Sequence, residues 1–295
     1  MNEKFKKLLT WAGSIVAVAG ILFVGIRLNG YRTQLDFSQF DVFIWPGIFL
    51  LTGVYGTASI LLALAWREIL TFYGETRPKL WAIKIYGLTQ LAKYVPSNIM
   101  HFAGRQAMGL AADIGGWILA KSTLWELALL ALSGSLFSIL TVPLLLPQVN
   151  IALSVITFVI VVLIVAILLK NFAALPIAKA FLGHTIFLSI SSIIFVIILI
   201  LLHGTAILKP TQFSLCFGAF IVAWLAGLVT PGAPAGIGVR EAMILLLLNN
   251  VLPESQLLIA VLLSRIITVG GDVFFFCIAS ACSNNLKRTT LFQRP

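Results

Sequence analysis

Residues 151–169 read IALSVITFVIVVLIVAILL, a run without a single charged side chain. A helix needs about 20 apolar residues, each rising about 1.5 Å, to cross the hydrocarbon core of a bilayer. Comparable segments recur at about 8–28, 43–66, 117–141, 181–202 and 256–282. The sequence therefore predicts an all-α fold, a polytopic membrane bundle in which residues 1–295 form one transmembrane domain with about six full spans and two broken helical hairpins.

The composition excludes an ordinary soluble domain. Hydrophobic residues make up 60% of the chain and charged residues 10%, whereas soluble domains carry about 25% charged residues. The net charge of +10 does not indicate nucleic-acid binding, because most basic residues lie in short loops between apolar segments, as topology signals do. The cysteines, Cys216, Cys277 and Cys282, lack metal-ligand spacing and are interpreted as packing residues.

The loop charges predict the orientation of the chain. Basic residues precede the first apolar segment, follow the second and the fourth, and end the chain; they include Lys4, Arg67, Lys79, Lys170 and Arg288. The positive-inside rule then places both termini on the cytoplasmic side of the plasma (inner) membrane. The apolar run from Leu8 to Ile26 exceeds a usual signal-peptide core, and Arg27 follows it, so we expect a retained first helix.

Two stretches interrupt the apolar pattern with helix breakers beside charges. The first contains Pro96, and the second contains Pro231, Gly232, Pro234, Gly236 and Gly238. Irregular backbone persists at membrane depth only where it is buried in protein or lines a wet cavity. The loop charges make residues 80–116 enter from the cytoplasmic face and residues 213–252 from the opposite face, like the inverted repeats of transporters. Full spanning by both arms of each pair preserves the same parity and stays open as an alternative.

Six ionisable residues lie within or beside apolar segments: Arg105, Glu126, Arg240, Glu241, Arg265 and Asp272. Charged residues inside a membrane are rare and commonly functional. The alternative is an internal ion pair that fixes helix packing, a role that suits Glu126 and Asp272 best. Arg265 and Asp272 are two turns apart on one helical face, which predicts that they neutralise a common neighbour.

An anion site is predicted at the second break. Its glycines let backbone N–H groups approach a ligand, and a new helix starts near Val239 with its positive dipole end at the break. Arg240 adds a forked donor suited to phosphate, while Glu241 either takes part or only caps the helix. A second lipid-headgroup cluster, at the first break, consists of Lys93, Tyr94, Asn98 and Arg105, with Asn98 placed to cap the following helix.

Other kinds of chemistry are not indicated. His101 is expected to be a hydrogen-bonded interior residue, because no second metal ligand lies at a suitable spacing, and we predict neither a metal nor a cofactor. Five tryptophans fall at segment ends and are interpreted as interfacial anchors: Trp11, Trp45, Trp66, Trp81 and Trp117. No nucleophile elbow, Walker loop or zincin motif occurs.

Two motifs carry a resemblance to a known family. Residues 93–105, KYVPSNIMHFAGR, resemble the KYxPGNxWxxxGR signature of the lysylphosphatidylglycerol synthase transmembrane (flippase-like) family, and residues 234–242, PAGIGVREA, resemble its PxGxGxREA signature. Arg265 with Asp272 is similar to the family's closing pattern. Ser97 and Met100 stand where glycine and tryptophan are usual. The resemblance implies about eight helical segments in a stand-alone member without the soluble aminoacyl-transfer domain, so lipid aminoacylation is not expected.

The function expected from these features is flipping or binding of a lipid with an anionic, phosphate-containing headgroup, in a cell-envelope lipid or glycolipid pathway. The expected partners are a membrane phospholipid or lipid-linked glycan, with a second copy of the chain or a pathway enzyme as further candidates. The alternative is a membrane-embedded glycosyl- or lipid-modifying enzyme, or an accessory subunit of one, that uses Asp36 or Asp41. A scaffold role is the third interpretation.

Overall fold

The computed structural model describes residues 44–95, 99–146, 148–204, 210–230 and 238–291. Within these ranges every regular element is helical: α1 (Ile44–Phe72), α2 (Lys79–Gln90), α3 (Met100–Ala111), α4 (Gly116–Leu136), α5 (Ile151–Phe172), α6 (Leu175–His203), α7 (Pro210–Val229), α8 (Val239–Leu248) and α9 (Glu254–Leu291). A 3₁₀ turn, Leu91–Tyr94, continues α2, and the segments Phe137–Thr141 and Val142–Leu145 continue α4. The predicted all-α class is confirmed.

Among the described residues, six helices are long and apolar enough to cross a membrane: Ile44–Phe72, Gly116–Leu145, Ile151–Phe172, Leu175–Leu202, Gln212–Val229 and Glu254–Ala281. The chain is therefore a multi-pass membrane protein. Five of these helices coincide with predicted spans, and the predicted span at 8–28 lies outside the described residues. The sixth, Gln212–Val229, is the first arm of the second predicted hairpin.

The two predicted hairpins differ in the lengths of their arms. Helix α2 has 12 residues and its 3₁₀ continuation has 4, while α3 has 12. At about 1.5 Å per α-helical and about 2.0 Å per 3₁₀ residue, the two arms are roughly 26 Å and 18 Å long, short of a hydrocarbon core of about 30 Å. In the second hairpin, α7 has 20 residues and α8 only 10. Short arms favour the re-entrant arrangement for the first hairpin, while α7 is long enough to span.

The centre of the bundle is built from α1, α6 and α9, which pack against one another. Helices α1 and α9 approach so closely that a Cβ atom on Gly271 would lie 3.0 Å from the backbone nitrogen of Gly56. Helix α2 packs on both α1 and α9, and α8 packs on α7. The short helices beside the breaks are thus held against long, buried ones.

Helix α5 lies at the outside of the bundle. Only Ser154 and Val162 of its 22 residues are buried, although it has the highest mean hydropathy, 3.3, of the six long helices. An apolar helix with an apolar outer face is stable only where its surroundings are apolar. Lipid is the environment that this surface fits.

The described residues include the edges of both breaks but not their centres. Pro96 and Asn98 of the first break, and Pro231, Gly232, Pro234 and Gly236 of the second, lie outside the described residues. Gly238 is described and has a φ of +82°, a conformation that glycine adopts without strain. Helix α8 begins directly after it at Val239, as predicted.

Candidate functional site: a charged cavity between the two breaks

The described edges of both breaks face one cavity of about 140 Å³. Lys93, Tyr94 and His101 line it from the first break, and Arg240 lines it from the second. The remaining walls come from α1, α2, α4, α6, α7 and α9; among their lining residues are Tyr55, Glu126, Ser191, Trp224, Arg265 and Thr268. Two stretches separated by more than a hundred residues therefore meet around one partly polar space in the middle of the bundle.

Arg105 of α3 forms a buried ion pair with Glu126 of α4. Nη1 of Arg105 lies 2.9 Å from Oε1 and 2.7 Å from Oε2 of Glu126, and the two side chains are 4% and 1% exposed. The hydroxyl of Tyr86 donates to the same carboxylate at 2.8 Å. The Arg105 guanidinium carbon also lies 4.1 Å from the centre of the Tyr86 ring.

Arg105 lies behind the cavity wall. Glu126 and Tyr86 line the cavity, whereas Arg105 is not among its lining residues. Glu126 pairs with Nη1 of Arg105, while the buried Nη2 has no hydrogen-bond partner among the described residues. Direct contact between Arg105 and a headgroup stays a prediction. Glu126 lies where the static interpretation puts it, in an ion pair between neighbouring helices.

Asp272 of α9 gathers donors from the end of α2. Nζ of Lys93 lies 2.6 Å from Oδ2 of Asp272, Nε2 of Gln90 donates to Oδ1 at 3.3 Å, and the hydroxyl of Tyr94 donates to Oδ2. The Asp272 side chain is fully buried, while Lys93 remains 22% exposed. The ammonium of Lys93, at the edge of the first break, is thereby paired with a carboxylate of the central helix α9.

Glu241 connects the start of α8 with α9. Its Oε2 accepts hydrogen bonds from the backbone N–H of Gly238 at 2.8 Å and from Nη2 of Arg265 at 3.0 Å. Nε of Arg265 lies 2.8 Å from Oε1. Glu241 therefore caps the helix and pairs with Arg265 at once. The prediction that Arg265 and Asp272 neutralise one common neighbour is wrong, because they bind Glu241 and Lys93 respectively.

Arg240 is the basic residue of the site that is left without a carboxylate. Its Nε is buried without a hydrogen-bond partner, and no ion pair reaches it from the part of the chain that the structure describes. Its guanidinium carbon lies 6.0 Å from the centre of the Trp224 ring. Its neighbour Glu241 is already paired with Arg265.

Several neighbouring residues differ from their predicted environments. His101 lines the cavity, but its buried Nδ1 makes no hydrogen bond. Trp66 is only 1% exposed, stacks on Trp81 with ring centres 5.7 Å apart and donates to Oγ of Ser122 at 3.2 Å. The interfacial role predicted for Trp66 is therefore wrong. Ile99 occupies the N-cap position of α3 without a side-chain cap, and Asn98 lies outside the described residues.

Several lining residues were missed from the sequence, among them Tyr55, Tyr86, Gln90, Ser191, Trp224 and Thr268. A signal was present for two of them, because Tyr86 and Gln90 are four positions apart, with Lys93 and Tyr94 following at the same helical spacing. Such residues share one face of a helix. Within an otherwise apolar arm, this polar face indicates a side turned towards polar groups. Among the residues described, no cluster of metal-ligating side chains occurs.

Replacing Asp272 with asparagine should lower the free energy of unfolding by about 1.5–3 kcal/mol, because hydrogen bonds to a charged acceptor contribute about that much. Lys93 and Tyr94 would both lose this acceptor while the side-chain shape is kept. Denaturant unfolding of the purified protein in detergent would measure the change. Glu254→Gln, at the exposed start of the same helix, is the control and should cost less than about 1 kcal/mol. Equal losses in the two variants would contradict the assigned role of Asp272.

No protein-family model matches the chain, and no curated protein matches it either.

Proposed function

We propose that this protein binds the anionic, phosphate-containing headgroup of a membrane lipid in its central cavity and moves the lipid between leaflets. The observation that carries the proposal is Arg240, an arginine that faces the cavity without a carboxylate partner among the described residues. A charge taken out of water without a partner is unfavourable. An anion that enters the cavity supplies the missing partner, and the forked guanidinium donors match the geometry of a phosphate.

The size of the cavity supports a headgroup rather than a whole lipid as its occupant. Its volume of about 140 Å³ is below the roughly 300–1,000 Å³ of pockets that enclose a drug-sized ligand. A phosphate with a small substituent fits such a space, whereas two acyl chains do not. The tails would remain in the bilayer beside the apolar outer surfaces, so that only the polar end of the lipid needs a path through the protein.

The orientation proposed from the loop charges is that both termini lie on the cytoplasmic side of the plasma (inner) membrane. The basic residues Arg67, in the last turns of α1, Arg77, in the loop, and Lys79, at the start of α2, surround the connection between these helices, and such basic loops are retained on the cytoplasmic side. The first break would then open towards the cytoplasmic half of the bilayer. A place in a cell-envelope lipid pathway rests on the family resemblance of the two motifs.

Replacing Arg240 with glutamine should abolish most of the lipid movement. Losing a hydrogen bond to a charged group costs about 1.5–3 kcal/mol, which is roughly a ten- to hundredfold loss of affinity. The protein would be reconstituted into vesicles containing phosphatidylglycerol labelled with a fluorophore on one acyl chain. A membrane-impermeant quencher added outside then reports how fast the inner-leaflet label becomes accessible.

The control for this experiment is Lys170→Gln, because Lys170 is exposed at the end of the peripheral helix α5 and changes the net charge equally. This variant should retain the wild-type rate. Equal rates for wild type and Arg240→Gln, at equal amounts of inserted protein, would overturn the role proposed for Arg240. Rates for all three proteins that match protein-free vesicles would overturn translocation itself.

A further inference from the structure

We infer that the lipid handled by this cavity is a phosphodiester monoanion whose headgroup carries hydroxyl groups and no amine. This inference rests on the proposed function and narrows its substrate class. It follows from the number of charges around the cavity, from the cations that already contact aromatic rings there, and from the hydroxyl groups that can still accept hydrogen bonds.

The described side chains around the cavity carry one more positive charge than negative charges. Among the described residues, four cations belong to the site, and three of them have carboxylate partners: Lys93 with Asp272, Arg105 with Glu126, and Arg265 with Glu241. Arg240 is the fourth. One negative charge therefore neutralises the cavity. A phosphodiester carries one negative charge, whereas a phosphate monoester carries about 1.5 to 2 at neutral pH and would leave a negative excess.

An ammonium group has no carboxylate to bind in this cavity. Among the residues that the structure describes, each of the three carboxylates of the site already forms an ion pair with a cation of the protein. A zwitterionic or aminoacylated headgroup would add a cation to a space that already holds an excess positive charge. Burial of an unpaired ammonium is strongly unfavourable.

Aromatic rings bind amine headgroups in other proteins through cation–π contacts, but four of the rings that line this cavity already face the protein's own cations. Arg105 lies 4.1 Å from the ring centre of Tyr86 and 4.9 Å from that of Phe102, and Lys93 lies 5.3 Å from that of Tyr94. Arg240 lies 6.0 Å from the Trp224 ring. These four rings are therefore not free to enclose a quaternary ammonium.

Hydroxyl groups of a headgroup do find partners. Ser191 donates to the backbone oxygen of Phe187 at 3.0 Å, and Thr268 donates to that of Arg265 at 3.0 Å. Each hydroxyl oxygen keeps its acceptor capacity, since a hydroxyl donates once and accepts twice. Ser191, Thr268 and the Tyr55 side chain all line the cavity. Glycerol-, inositol- or sugar-type headgroups on a phosphodiester supply the donors that this wall accepts.

The test compares lipids that differ only in their headgroups. Vesicles would contain acyl-labelled phosphatidylglycerol, phosphatidylethanolamine, phosphatidylcholine or lysyl-phosphatidylglycerol, and the movement of each would be measured with wild-type protein. Phosphatidylglycerol should move at least about tenfold faster than the three amine-bearing lipids, the ratio expected when one charged group is left unpaired.

Two variants test the charge balance directly. Arg265→Gln and Lys93→Gln each remove one cation and release one carboxylate, Glu241 or Asp272, so the cavity gains a place for an ammonium and loses its excess charge. In both variants, the ratio of the rate of phosphatidylglycerol movement to that of phosphatidylethanolamine movement should fall about tenfold. Lys170→Gln carries the same change in net charge outside the cavity and should keep the wild-type preference.

The outcomes separate this inference from the function on which it rests. Equal movement of all four lipids by the wild type would leave translocation standing and overturn the headgroup assignment. An unchanged preference in both cavity variants, with movement retained, would overturn the charge balance as its cause. If wild-type protein moved none of the lipids faster than empty vesicles, the proposed function and this inference would both fall.

Discussion

Replacing Arg105 with methionine should lower the free energy of unfolding by about 3–5 kcal/mol, the cost of removing one partner of a buried ion pair. Glu126, whose side chain is 1% exposed, would keep its negative charge without a cation. Tyr86 would remain its only hydrogen-bond donor among the described residues. Denaturant titration in mixed micelles, followed by circular dichroism, would measure the loss of stability.

The matched control is the double variant Arg105→Met/Glu126→Leu. Replacing both charges with apolar groups of similar size is often nearly neutral, so most of the lost stability should return. A remaining deficit of about 1 kcal/mol is expected because the Tyr86 hydroxyl loses its acceptor. If the double variant were as unstable as the single one, the destabilisation would come from lost packing, and the assigned charge pairing would be refuted.

Replacing Gly271 with alanine should separate α1 from α9 and lower the free energy of unfolding by about 1–3 kcal/mol, the range for overpacking a well-packed core. The added Cβ would lie 2.6 Å from Cδ1 of Tyr55 and 3.0 Å from the backbone oxygen of Thr52. Backbone atoms cannot rotate away as a flexible side chain can. Because Tyr55 lines the cavity, the rate of lipid movement should also change.

Gly53→Ala is the control for this substitution. Gly53 lies on α1, one turn before the crossing, and a Cβ there would meet no atom within 4 Å. Alanine in a helix interior is about 0.5–1 kcal/mol more favourable than glycine, so this variant should be as stable as wild type or slightly more stable. Thermal unfolding of the two variants side by side would show the difference. A Gly271→Ala protein as stable as Gly53→Ala would contradict the close crossing.

The long helices could be predicted from the sequence because their signal is local. A run such as 151–169 is apolar enough to specify a spanning helix without knowledge of its neighbours. The start of α8 was predicted for the same reason, since Gly238 followed by a helix-forming segment ends the break within a few residues. The positions of the breaks could also be predicted from the sequence, because proline and glycine disrupt helices through their own backbone geometry.

The ion pairs could not be predicted, because partners are chosen by packing rather than by spacing. Arg265 and Asp272 share a helical face, and that periodicity favoured a common neighbour. In the fold, α8 lies against one end of this face and the end of α2 against the other, so the two residues bind different groups. The environment of Trp66 could not be predicted for the same reason. The end of its apolar segment lies inside the bundle, where its side chain contacts Trp81 and Ser122.

The three ion pairs also constrain how this sequence can change over evolutionary time. Glu241 and Arg265 are 24 positions apart, and Arg105 and Glu126 are 21 apart, so neither pair lies within one helix. Lys93, in the turn after α2, and Asp272, in α9, lie still farther apart in the sequence. A substitution at one member leaves a buried charge behind until its partner changes too. Such positions form compensating pairs, and a lineage that abandons one pair has to pass through a less stable intermediate or replace both residues together.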